Sequence, residues 1–166
     1  MNLGNTFKSA ATAIAVCMLG LASSANAATA TTTFQVTATV QAACTISATA
    51  LAFGNYSGAQ SDNTSTITVT CTNSTPYRVG LDAGASTGAT VTTRKMTGPG
   101  GATLGYALFQ DGARTINWGN TPGTDTPASV NGNGSGQTTT VYGRIAGAQY
   151  PTPGSYSDTI TATVNY

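Results

Sequence analysis

From residue 28 onward, apolar side chains recur at every second position in short runs, and no window carries a helical period. That alternation is the mark of strands with one buried face. In "TTTFQVTATVQAAC" (31–44), Phe34, Val36, Ala38, Val40, Ala42 and Cys44 share one face and Gln35, Thr37, Thr39 and Gln41 the other. "TSTITVTC" (64–71) sets Ile67, Val69 and Cys71 against threonines, and "PYRVGLD" (76–82) aligns Tyr77, Val79 and Leu81. "TLGYALFQD" (103–111) aligns Leu104, Tyr106 and Leu108, with Phe109 opposite; "TTTVYGRI" (138–145) carries Val141 and Ile145. "SYSDTITATVNY" (155–166) aligns Ile160, Ala162, Val164 and Tyr166. Gly, Asn, Pro and Ser clusters separate these runs and mark turns. Strands at this spacing predict one all-β domain, an antiparallel β-sandwich. Two long connections, 84–102 and 119–137, are rich in turn formers.

The first 27 residues are set apart from that domain. Lys8 precedes an Ala-rich apolar run from Ala10 to Leu21, followed by "SSANA" and Ala28. A positive start, a short apolar core and a small-x-small site predict a secretory signal peptide over 1–27. The run has no polar face for an amphipathic helix and is too short to span a bilayer. Export then decides how the cysteines are read. Cys17 leaves with the signal, and the two that remain, Cys44 and Cys71, form an even count in an oxidising compartment, which predicts a disulfide. With no His in the chain, two thiols do not complete a usual zinc site.

Charge is sparse and balanced: six Lys and Arg against five Asp and no Glu. No basic stripe exists for nucleic acid or an anionic membrane. Gly84-Ala85-Ser86-Thr87-Gly88 matches the G-x-S-x-G outline of a hydrolase nucleophile. That chemistry needs a base, usually His, on a strand–turn–helix; the only candidate base is Lys95, in a connection. "NGNGSGQ" (131–137) has the glycines of a phosphate loop without its Lys or helix. The Asp residues lack calcium-loop spacing. Trp118 with Tyr106, Tyr142 and Tyr150 is a candidate sugar-stacking platform, although a lone tryptophan in a sandwich is more often core or rim. No enzyme, cofactor or metal site is expected.

Several stretches taken in order carry a family resemblance: "ACTISATALAFGNY" (43–56), "YALFQDGAR" (106–114), "WGN" (118–120), "VYGRI" (141–145) and "GSYSDTITATVNY" (154–166). Together they resemble the spore coat protein U domain, a family that includes subunits of archaic chaperone–usher pili of the Csu type. The resemblance implies an incomplete immunoglobulin-like sandwich over 42–166 that lacks its last strand and leaves a hydrophobic groove beside the C-terminal strand. It also implies that about 28–41, by position alone an ordinary first strand, is an N-terminal donor strand. Phe34, Val36, Ala38 and Val40 would then be its plugs, and Ile160, Ala162, Val164 and Tyr166 would line the acceptor groove, with no further strand after them to fill it. A periplasmic chaperone, gripping the Tyr166 carboxylate with basic residues, would fill the groove first. At an outer-membrane usher, the donor strand of another subunit would replace it. The implied function is a structural pilus subunit at the cell surface, serving adhesion and biofilm formation. The alternatives are a secreted spore or cell-surface coat protein and, last, a sugar-binding module.

Overall fold

The computed structural model describes residues 27–166. The expected signal peptide falls outside the described residues, apart from Ala27. Two units are distinguished, one through Ala38 and one from Thr39 to Tyr166. In the first, residues 27–38 form no strand ladder and every side chain is exposed.

The second unit is built of eight strands: β1 (Cys44–Ala48), β2 (Ser61–Cys71), β3 (Pro76–Leu81), β4 (Arg94–Thr97), β5 (Thr103–Phe109), β6 (Val130–Asn131), β7 (Gln137–Ile145) and β8 (Ala162–Asn165). They form a five-stranded antiparallel sheet in the order β1-β2-β7-β5-β4 and a three-stranded sheet in the order β6-β3-β8. The alternations read from the sequence fall where burial requires. Ile67, Val69 and Cys71 of β2 and Val141 of β7 face Tyr77, Val79 and Leu81 of β3 across the core, while Thr66, Thr68 and Thr70 point away. Gly143 of β7 is a buried position where a side chain is not tolerated; a Cβ there would lie 2.7 Å from Leu51 Cδ1 and 2.9 Å from Phe53 Cζ. Its absence lets those two side chains rest on the sheet.

Cys44 and Cys71 are directly opposed in the β1–β2 ladder, with Cα atoms 4.1 Å apart, and are joined by a disulfide. It ties the first strand of the sandwich to the end of its longest strand.

Trp118 fills the middle of the sandwich and is 0% exposed. Its indole N–H donates to the Val79 carbonyl at 2.9 Å, and its backbone N–H donates to Leu108 O at 2.9 Å. A tryptophan so placed joins the two sheets and offers no face to a sugar, so the stacking platform is overturned.

The connection 84–102 holds an unexpected strand, β4, because of one residue. Arg94 is 1% exposed. Its guanidinium donates to four backbone carbonyls: Asp82 and Val91 at 2.8 and 2.7 Å, Leu81 and Trp118 at 2.9 and 2.8 Å. Burial pulls its pKa below the ordinary arginine value. The planar fork thus closes the ends of β3 and of the Trp118 segment onto β4. In the connection 119–137, β6 joins a ladder with β3, and its last residue, Gln137, already begins β7.

Two outcomes test this framework. Replacing Arg94 with Met leaves the buried carbonyls of Leu81 and Trp118 without a donor, so unfolding free energy should fall by about 3 kcal/mol or more in urea denaturation. Replacing both Cys44 and Cys71 with Ala should cost about 3–4 kcal/mol on the chain-entropy model, read from the same curves.

Candidate functional site: an open groove between the sheet edges

β1 is an edge of the larger sheet and β8 an edge of the smaller one. After β1 the chain runs on through 49–58 without a ladder partner, and before β8 it runs through 150–161 with only one isolated bridge, Thr97 to Ser157. These stretches are the two lips of a groove of about 1150 Å³. Its floor is the sandwich interior: Ile67, Leu81, Leu104, Leu108, Val141 and Ile145 line it, each with 4% or less of its surface exposed.

The first lip lies beside β2; Thr49 N–H donates to the Thr66 carbonyl at 2.9 Å, and beyond it the lip is held to β2 by side chains. Asn63 Nδ2 donates to the Ala52 carbonyl, and Ser61 Oγ to the Phe53 carbonyl at 3.4 Å. The backbone N–H groups of Ala50 to Ser57 donate to no acceptor among the described residues. The second lip is satisfied on one side only. Ser157 N–H donates to Thr97 O at 3.1 Å, Thr159 N–H to Asp158 Oδ1 at 2.8 Å, and Thr161 N–H to Asp82 Oδ1 at 2.9 Å. The alternate groups, Asp158 N–H and Ile160 N–H, have no acceptor among the described residues. In an extended chain, alternate N–H groups point to opposite edges. One edge of this lip is therefore bonded to the body and the other is bare.

Two aspartates hold the second lip open. Asp158 Oδ1 accepts from Ala85 N–H at 2.8 Å, and its Oδ2 accepts from the Tyr106 hydroxyl at 2.7 Å. Burial, reinforced by Asp158, raises the Tyr106 phenol far above its ordinary range. Asp82 Oδ1 also accepts from Gly84 N–H at 3.0 Å. Burial alone would raise the Asp82 pKa; the hydrogen bonds from Thr161 and Gly84 and the nearby Arg94 outweigh it and hold the carboxyl below its ordinary value.

The residues singled out from the sequence divide unevenly over this geometry. Ile160 and Ala162 line the groove. Val164 packs on the core beside it, and Tyr166, 61% exposed, is not among the lining residues. The expected strand over 155–166 is a ladder only at Ala162–Asn165, because β3 offers register partners to those residues alone. Phe34, Val36 and Val40 are 85%, 81% and 86% exposed, and Ala38 is exposed. The first lip, with Leu51, Phe53 and Tyr56, was not picked out as a site; its apolar spacing around Gly54 reads as an ordinary connection. The G-x-S-x-G stretch precedes β4 rather than a helix, and the Ser86 hydroxyl is 2.6 Å from that of Thr97. Lys95 lies on β4. Among the described residues no three His, Cys, Asp or Glu side chains gather as metal ligands.

The fold and groove together define the class: an incomplete immunoglobulin-like sandwich, all antiparallel, with an open position between its two sheet edges. The chain belongs to the spore coat protein U domain family, whose pattern matches residues 30–163. It is 34% identical over 129 residues to Protein U of Myxococcus xanthus, covering 70% of this chain and 71% of that one. It is also similar to a chain in the crystal structure of the CsuC–CsuE chaperone–tip adhesion subunit pre-assembly complex, from the archaic chaperone–usher Csu pili of Acinetobacter baumannii. There the TM-score is 0.57 and the identity 26%, over 77% of this chain; the match spans 41% of the length of the other.

The depressed Asp82 pKa has a sign. A carboxyl held below its unfolded value stabilises the fold above about pH 4 and loses that contribution as pH falls through its folded pKa. The urea midpoint should therefore drop below about pH 4. Asp82→Asn should be less stable at pH 7 and show a flatter acid limb.

Proposed function

We propose that this chain is a structural subunit of a cell-surface pilus, assembled by strand addition between subunits. The observation that carries this reading is the groove: an apolar floor between two lips whose backbone N–H groups are free along the open edges. Such an edge is a template for an extended segment, with main-chain hydrogen bonds providing hold and alternate side chains filling the hollows.

Residues 28–41 have the composition of the inserted segment. Phe34, Val36, Ala38 and Val40 alternate with polar residues, and the large ones stand exposed to water. Burying these four at about 25 cal/mol per Å² of apolar surface contributes several kcal/mol, before the added ladder. Insertion from one subunit into the next is head-to-tail and does not close, so it generates a filament. The likeness to a chain of a Csu chaperone–subunit complex supports a periplasmic chaperone as the first occupant of the groove. An outer-membrane usher then exchanges it for the donor strand of a homopolymer neighbour or another pilin. Adhesion and biofilm formation follow from fibres so displayed.

A second reading, a coat protein laid on a spore or cell surface, is favoured by the family's name and by the identity to Protein U. Such a coat would use the same strand exchange; a chaperone and usher encoded beside this chain would favour the pilus, and a developmental expression pattern the coat.

Replacing Phe34, Val36 and Val40 together with Asp should leave the sandwich folded and bound to its chaperone but abolish SDS-resistant, heat-dissociable ladders. Ladders of wild-type length from this variant would remove the donor assignment.

A further inference from the structure

The exported part of the chain offers a chemical oxidant few targets. Cys44 and Cys71 are joined to each other, and Trp118 is wholly buried. Of the three methionines, Met1 and Met18 lie in the expected signal peptide, which leaves Met96 as the single thioether. Met96 lies on β4 opposite Leu104 of β5, is half-buried, and lines the open groove together with Leu104 and Tyr106. The next residue, Thr97, exchanges backbone hydrogen bonds with Ser157 at 2.9 and 3.1 Å, so Met96 stands at the foot of the second lip. That lip carries the N–H groups of Asp158 and Ile160, which find no acceptor among the described residues.

We propose that Met96 is an oxidation site that gates the groove: its sulfoxide blocks strand addition, and an inserted strand in turn shields the thioether. This rests on the strand-addition reading above. The oxidant is a peroxide. One peroxide oxygen bonds to the sulfur as the O–O bond breaks; the sulfur gives up two electrons, and a proton passes to the departing hydroxide, which leaves as water. The product replaces a flexible apolar side chain with a polar one. Its new oxygen accepts hydrogen bonds, and the neighbouring lining offers it none. Leu104 has no polar side-chain atom, and the Tyr106 hydroxyl already donates to Asp158 at 2.7 Å. Under a covering strand the sulfoxide is either buried unpaired or takes lip N–H groups that the strand needs. Both weaken the added strand. Oxidation of a methionine follows its exposure, so the open groove admits the reaction and the filled groove excludes it.

The test treats the exported full chain, its Cys44–Cys71 bridge intact, with hydrogen peroxide before or after assembly. Oxygen uptake at Met96 is read by peptide mass, and assembly by SDS-resistant ladders. Treatment before assembly should oxidise Met96 and cut ladder yield at least fivefold. Met96→Leu, compared with its own untreated sample, should show no change in yield. In preformed ladders Met96 should oxidise at least tenfold more slowly than in the free subunit. Unchanged assembly by fully oxidised parent would overturn the gate. An equal loss in Met96→Leu would put the damage elsewhere and overturn Met96 as its site. Equal oxidation rates in subunit and ladder would overturn the shielding. Ladders missing even from untreated parent would remove strand addition itself, and the gate with it. Circular dichroism of the oxidised subunit should match the parent; a lost β signal would assign the defect to folding and overturn the gate.

Discussion

The constraint on which the structure turns is a set of backbone hydrogen bonds that the sandwich does not make within itself. An interior sheet position pairs on both sides, yet among the described residues the N–H groups of Ala50 to Ser57, Asp158 and Ile160 find no acceptor. Between them the buried core residues Ile67, Leu104 and Val141 line the groove. Bare edges beside an apolar floor are a liability in water unless something is meant to cover them. The groove, its polar frame and the proposed assembly all follow from that deficit.

The frame keeps the groove from collapsing. Three side chains, Arg94, Asp82 and Asp158, bond chiefly to backbone rather than to one another. Arg94 fastens the ends of β3 and the Trp118 segment; Asp82 and Asp158 fasten the second lip to the turn after β3. Hydrogen bonds are directional, so they hold a shape where apolar contact alone would let the lips close. The first lip depends on Asn63 and Ser61 of β2 in the same way. A sandwich with so few charges has spent several of them on holding an opening.

Much of the fold was legible in the alternation. β2, β3, β5 and β7 lie within a few residues of where the two-residue period places them, since each buries one face on a common core. The family resemblance added the incomplete sandwich and a groove beside the last strand, and Ile160 and Ala162 are found lining it. Other features left no local trace. β4 is four residues with a buried arginine at its head, and nothing in "TTRKMTG" tells a guanidinium that meets four carbonyls from one that meets water. Trp118 reads equally as rim or core until both sheets are placed around it. Leu51 and Phe53 of the first lip keep a two-residue period, but Gly54 and Asn55 break it before Tyr56, so the stretch is too short to read as a strand.

By itself the sequence determined the strand periods, the pairing partner of Cys44, and a neutral alternating segment at 34–42. These are properties of composition and order, fixed by side-chain size and the two-residue repeat. Tertiary structure alone decided which strand edges stay bare, that Phe53, Tyr106 and Asp158 meet beside the groove, and that Arg94 and Trp118 are interior. Each of those depends on what distant segments bring to the same place. A hydrogen bond left unmade, or an arginine satisfied by four carbonyls, exists only once the backbone has closed around it.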